Sequence, residues 1–138
     1  MRIRTIVICV FCLVLPVGCG KDVKLYEVTA TATYSGKPIR NLLVNFSDES
    51  GVKGGGLTDS EGRLTLLHVS GRQGIEAGTY RVWVSVPNAP KETSEGKKLA
   101  KAKVDRELVS LFQKYGSATQ TPKTVEIKDK QEIQIVFD

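Results

Sequence analysis

Tyr26-Glu27-Val28-Thr29-Ala30-Thr31-Ala32-Thr33-Tyr34 decides the fold class of this chain. Tyr26, Val28, Ala30, Ala32 and Tyr34 fall on one side of an extended backbone, and Glu27, Thr29, Thr31 and Thr33 fall on the other. A period of two marks a strand with one buried face, because successive side chains of an extended chain point in opposite directions. Ser35-Gly36-Lys37-Pro38 closes the run. Its glycine supplies backbone freedom for a tight turn, and its proline restricts the chain entering the next segment.

The same reading extends toward the C-terminus. Residues 42–47 (Leu-Leu-Val-Asn-Phe-Ser) form a second apolar strand, followed by a turn at Asp48-Glu49-Ser50-Gly51. Residues 52–58 contain Gly54-Gly55-Gly56, so they predict either a poor strand with a bulge or an edge that another backbone crosses closely. Asp59-Ser60-Glu61-Gly62 is a turn, and residues 63–67 are a short strand behind it. In residues 79–86, Tyr80, Val82, Val84 and Val86 share one face while Arg81, Trp83 and Ser85 share the other. Residues 124–127 and 133–137 are the final two strands. Seven short strands with regularly spaced turns predict an all-β sandwich. The period changes once. Ala100, Val104, Leu108, Leu111, Phe112 and Tyr115 recur at spacings of three and four, which predicts a helix at about 97–115, inserted before the last two strands and stopped by Gly116. Its apolar stripe is expected to cover one face or end of the sandwich and to roof Trp83 with Leu108, Leu111 and Phe112.

Three pieces of this pattern occur in order: Tyr34-Ser35-Gly36-Lys37-Pro38-Ile39, Thr58-Asp59-Ser60-Glu61-Gly62-Arg63-Leu64 and Ala77-Gly78-Thr79-Tyr80-Arg81-Val82. Together they resemble the carboxypeptidase regulatory-like domain, a transthyretin-like (prealbumin-like) β-sandwich. Leu64 stands where that family more often has an aromatic residue. The resemblance implies a seven-stranded Greek-key sandwich over residues 25–138. It also extends to small bacterial lipoproteins built on this domain, whose long loop after the corresponding strand carries a Tyr-containing segment like Leu111-Phe112-Gln113-Lys114-Tyr115.

The N-terminus reads as an export signal. Arg2 and Arg4 precede an apolar run at residues 6–17, too short for a bilayer span, and a small residue, Gly18, precedes Cys19. Cys9 and Cys12 lie inside the run, and no cysteine follows Cys19. Val17-Gly18-Cys19 resembles the lipobox of bacterial lipoproteins, with Pro16 in place of the usual aliphatic residue. The expected organisation is a signal peptide at 1–18, Cys19 as the lipidated first residue of the mature chain, a polar tether at 19–24 and one domain at 25–138. Cleavage near Gly18 by an ordinary signal peptidase is the alternative. The expected location is the cell envelope, with the membrane as partner through the Cys19 anchor.

The composition narrows the chemistry. Lys+Arg number 20 and Asp+Glu 15, for a charge of +5; loss of Arg2 and Arg4 with the signal leaves 18 cations and +3. That mild excess does not predict a nucleic-acid surface, which needs clustered cations with stacking aromatics. His68 is the only histidine and is expected to cap a strand end; a Ser-His-Asp arrangement around it lacks the Gly-x-Ser-x-Gly elbow. One histidine and no mature cysteine beyond Cys19 are too few ligands for zinc or copper. Asp59 and Glu61 are too few for calcium and are expected to serve the turn. Gly54-Gly55-Gly56 lacks the Lys and Ser/Thr of a phosphate loop. Lys37 and Asn45 are the weak candidates for an isopeptide crosslink. The cations Lys97, Lys98, Lys101, Lys103 and Arg106 are read as a solvated helix face, or as a contact for anionic lipid. The sequence therefore predicts a non-enzymatic structural or interaction module with no cofactor, whose partner is an envelope protein or a glycan. The alternative is a carbohydrate-binding module that stacks sugar on Trp83. Oligomeric state is left open.

Overall fold

The computed structural model describes residues 22–87 and 106–138. The expected signal peptide, Cys19 and the expected helical residues 97–105 lie outside them. The described residues form nine strand segments in two sheets: β1 Val28–Tyr34, β2 Lys37–Pro38, β3 Leu43–Asp48, β4 Gly51–Leu57, β5 Arg63–Thr65, β6 Leu67–His68, β7 Gly78–Ser85, β8 Thr124–Ile127 and β9 Gln131–Phe137. One helix, α1, spans Arg106–Tyr115. The protein is mostly β. Two strands, β2 and β6, are only two residues long; residues 37 and 38 read as a turn in the sequence, and residue 68 as lying past a strand end.

β1 organises the first sheet. It pairs in parallel with β9 along its whole length, from Val28↔Gln131 to Tyr34↔Phe137. Because β9 occupies one edge completely, β5 and β2 share the other. β5 takes Thr29, Ala30 and Thr31, and β2 takes Thr33 and Tyr34. Gly62 fills the gap between them, its carbonyl accepting the Ala32 N–H. The second sheet runs β6-β4-β3-β7-β8.

The alternation read from the sequence decides what each sheet buries. Val28, Ala30, Ala32, Leu64, Ile135 and Phe137 of the first sheet join Val44, Phe46, Tyr80, Val82, Val84 and Ile127 of the second in one buried core. Phe46 and Tyr80 meet edge to face, with ring centroids 6.2 Å apart. The glycine run carries both expected features. The β3–β4 register shifts between Phe46 and Ser47, which is a bulge. The neighbouring backbones also lie so close that a Cβ on Gly54, Gly55 or Gly56 would come within 2.5–2.6 Å of the Leu67, Val44 or Thr65 carbonyl oxygen. Any side chain there would push the strands apart.

α1 packs through one stripe. Leu111 and Tyr115 are buried, and Leu108 and Phe112 are half-buried against the core. Glu107 in the first turn and Lys114 in the last suit the helix dipole, and the Gly116 N–H closes the end on Phe112 O. Tyr115 meets Phe137 edge to face at 4.8 Å, and its hydroxyl donates to Asp138 O at 2.6 Å. The Lys37–Glu107 ion pair, 3.0 Å but mostly exposed, adds little. The helix therefore sits where β9 ends. Its buried residues belong to the core that Tyr80, Val82 and Val84 face, on the opposite side of β7 from Trp83, so the expected roof of Leu108, Leu111 and Phe112 over Trp83 is corrected.

Gly62 has φ +77°, and a Cβ there would come within 2.5 Å of Ala32 O and 3.1 Å of Pro38 Cβ. Gly62→Ala therefore combines backbone strain with a clash against a ladder carbonyl. The expected loss is about 1–3 kcal/mol in a urea unfolding titration. An unchanged midpoint would contradict this account of the gap.

Candidate functional site

Polar side chains gather in three places. The first is the outer face of the β5-β1-β9 sheet. Thr29, Thr31, Arg63, Thr65, Glu132 and Gln134 line an open concavity of about 900 Å³ there, with Asp59 and Glu61 at its rim. The turn before β5 accounts for both carboxylates. Asp59 Oδ1 accepts the N–H of Glu61 at 2.8 Å and of Arg63 at 2.9 Å, the local bonding expected from its position. Glu61 pairs with Arg63 at 3.3 Å. Among the described residues, no group of three or more His, Cys, Asp or Glu is placed to hold a metal ion.

The second place is the outer face of the five-stranded sheet. Pairing places Leu67, Gly55, Asn45 and Trp83 in one row across β6, β4, β3 and β7. Trp83 is half-buried, and its indole N–H donates to Ser47 Oγ at 2.9 Å, which lays the ring toward β3. Ser47 is 2% exposed despite its outward position. Asn45 Nδ2 donates to Ser85 Oγ at 3.0 Å. Leu67 at the end of the row and Leu57 beside it stand half-exposed. Lys37 belongs to the other sheet and pairs with Glu107, so the structure does not bring the two crosslink candidates, Lys37 and Asn45, together.

The third place surrounds His68 at the end of β6. Val69 and Ser70 turn the chain, and the Gly71 N–H returns to His68 O at 2.8 Å. The Ser70 N–H donates to Nδ1 at 3.2 Å, with Ser70 Oγ 2.8 Å from the same nitrogen. In a neutral ring the proton then sits on Nε2, which faces Glu76 Oε1 at 3.5 Å. Serine, imidazole and carboxylate thus line up, a juxtaposition invisible in the sequence because Glu76 lies beyond a loop. The serine, however, belongs to the turn that its own contact closes, as the expected cap requires. None of the three residues lines the concavity on the first sheet.

A smaller concavity of about 590 Å³ lies beside the Asp48–Ser50 turn. Tyr80 reaches its wall with the phenol donating to Glu76 O at 2.9 Å. Burial, with the charges of Glu76 and Asp48, pushes that phenol up to about 12. It is a hydrogen-bond donor at any ordinary pH and not a base.

No helix among the described residues is long and apolar enough to cross a membrane. In comparison with known proteins, no family model matches the chain, and neither a curated protein nor a solved structure does.

The Arg63 and Glu61 N–H groups hold the Asp59 carboxyl below its ordinary range. A folded pKa below the unfolded one contributes stability that is fully present above the unfolded value, about 3.9, and is lost as pH falls through the folded value. Asp59→Asn keeps an acceptor for the turn and removes the titration. Wild type is expected to lose stability more steeply than Asp59→Asn below about pH 4 in urea titrations. Parallel acid profiles would show that the carboxylate is not what the turn N–H groups favour.

Proposed function

We propose that this protein is exported and lipid-anchored through Cys19, and that its β domain serves as a non-enzymatic structural or interaction module at the cell envelope. One combination carries the reading. A signal-like segment ends in the last cysteine of the chain, and the two-sheet unit behind it closes a core from Val28 onward with no disulfide. An exported domain without disulfides must rest on such a core. Residues 19–24 then serve as a short tether, near whose end the Arg72 guanidinium donates to Val23 O at 3.3 Å, ahead of the Tyr26–Ile75 bridge.

The finer architecture belongs to the same proposal: a Greek-key sandwich of the carboxypeptidase regulatory-like, transthyretin-like kind. Support comes from where its three motifs fall. Ser35-Gly36 makes the β1–β2 turn and Lys37-Pro38 is β2 itself, Thr58-Asp59 through Gly62 leads into β5, and Gly78-Thr79-Tyr80-Arg81-Val82 opens β7. Thr58 has a packing role there. Its buried hydroxyl accepts the Leu42 N–H at 3.1 Å and donates to Leu42 O at 3.2 Å, standing in for a strand partner.

A second reading is favoured by one observation. Trp83 lies on an outer face, beside Asn45, with the bare backbone of Gly55 one strand further on. That is the arrangement of an aromatic side chain with a neighbouring polar group on which a sugar ring stacks. Trp83 is the sole tryptophan, so its fluorescence reports on it alone. The sugar reading expects strong acrylamide quenching that soluble envelope glycans suppress; weak quenching with blue-shifted emission would sink it.

For the anchor, Cys19→Ser is expected to move the protein from the membrane fraction to the soluble exported fraction with the β domain still folded. Retention of the variant in the membrane fraction, or an unmodified Cys19 by mass spectrometry of the mature wild-type N-terminus, would refute lipid anchoring.

A further inference from the structure

The four sheet edges differ in how they are protected. The β5/β2 edge is broken at Gly62 into pieces of three and two residues. β6 is two residues long, and β8 is four residues behind Pro122. β9 is seven residues long, pairs with β1 without a register shift and contains no proline. Natural edges are usually blunted by shortness, bulges, proline or inward-pointing charge. Among the described residues β9 has none of these, and its one charge, Glu132, points outward.

Its register shows which backbone groups are open. The Gln131 N–H donates to Glu27 O, and the Ser35 N–H donates to Phe137 O, one bond at each end of the β1–β9 ladder. Residues 131, 133, 135 and 137 therefore turn their peptide groups toward β1. By alternation, Glu132, Gln134 and Val136 turn theirs away, where no strand of the described residues pairs with them. Their side chains are exposed on the outer face.

We propose that β9 is a self-association edge, through which two copies of this chain pair antiparallel about a two-fold axis at Gln134. That register places Gln134 opposite Gln134, Glu132 opposite Val136 and Lys130 opposite Asp138. Every open peptide group of the three residues finds a partner, closing about six backbone hydrogen bonds. No like charges meet, and two Lys–Asp contacts flank the strands. A Lys130 side chain 78% exposed serves such a contact alongside its present pair with Glu27. The neighbouring registers are worse. An axis at Ile133 sets Lys130 opposite Val136 and forgoes the Lys130–Asp138 contacts, and an axis at Ile135 sets Glu132 opposite Asp138. An axis at Glu132 sets two carboxylates against each other, and an axis at Val136 leaves Glu132 with no β9 residue opposite it. The edge is thus complementary to a second copy of itself. The interface is small, so the dimer is weak in dilute solution and favoured wherever copies are held close together. This inference does not depend on the Cys19 anchor.

The test is cysteine crosslinking of the full chain. In this register the two copies of position 134 have Cα atoms about 5.5 Å apart, within disulfide range. Two copies of position 132 stand roughly 14 Å apart along the strands. After mild oxidation, Gln134→Cys is expected to give at least about fivefold more covalent dimer than Glu132→Cys on a non-reducing gel, and the Glu132→Cys/Val136→Cys double variant is expected to recover it. Cys9, Cys12 and Cys19 contribute the same background to every sample. Both residues are exposed, so folding is not at stake. Sedimentation equilibrium supplies an independent reading: Val136→Glu, which sets a carboxylate against Glu132, is expected to weaken self-association, and Val136→Lys to strengthen it. Equal crosslinking at 132 and 134, no crosslinking above background at 134, or the same response to both charges at 136 would overturn the proposal.

Discussion

The parallel ladder between β1 and β9 is the constraint on which the rest of the fold depends. Two parallel strands cannot be joined by a tight turn. The chain between Tyr34 and Gln131 must therefore travel away and return, and on the way it lays β2 and β5 beside β1 and builds the second sheet. The ladder makes β1 an interior strand, bonded on both edges, which is why its alternation is so regular: one face must be apolar to meet the second sheet. It also delivers Ile135 and Phe137 to the core, and Phe137 in turn gives Tyr115 its ring contact. The seat of the helix thus follows from the pairing of the last strand with the first.

A second constraint acts through absent side chains. Around β4, three successive glycines let the backbones of β3, the β5 end and β6 approach to distances that no Cβ tolerates. Gly62 does the same where β5 and β2 part beside Ala32. Large apolar residues then close the remaining space. A Leu64 methyl lies 3.0 Å from the place of a Cβ on Gly56, and an Ile75 methyl lies 3.4 Å from that of one on Gly54. Close backbone approach and side-chain packing are two halves of one fit, and a larger residue at either half disturbs the other.

Local features were legible in the sequence, and pairings were not. The alternation in β1 and β7, the Asx bonding of Asp59 and the stripe of α1 each depend on neighbours within a few residues. The strands and the turn appear with nearly the expected bounds, and the helix ends at Tyr115 as expected, the first half of its expected span lying outside the described residues. The choice of β9 as the parallel partner of β1 has no such signal, since residues 28 and 131 carry no mark of each other. Nor has β2, where Lys37-Pro38 is a turn by composition and a short strand only because β9 leaves that edge of β1 free. Trp83 shows the same limit. Alternation placed it outward, but what lies over it depends on where the helix docks, and the helix follows Phe137 to the end of the core. The contacts of His68 with Glu76 and of Trp83 with Ser47 likewise cross between segments.

These contacts also bear on what the domain can offer a partner. Among the described residues, no buried side-chain nitrogen or oxygen lacks a hydrogen-bond partner. Asp59 is spent on its turn, His68 on its cap, Thr58 on Leu42 and Asn45 on Ser85. A group already satisfied must break a bond to make a new one, so it gains little by binding. Poised catalytic sites hold groups in reserve, with altered ionisation or unpaired atoms aimed at a substrate. Here the groups with capacity left are of other kinds: exposed leucines and an indole face on one sheet, and open peptide groups along β9 on the other. Both suit recognition by shape and by backbone pairing, the two means open to the interaction module proposed above.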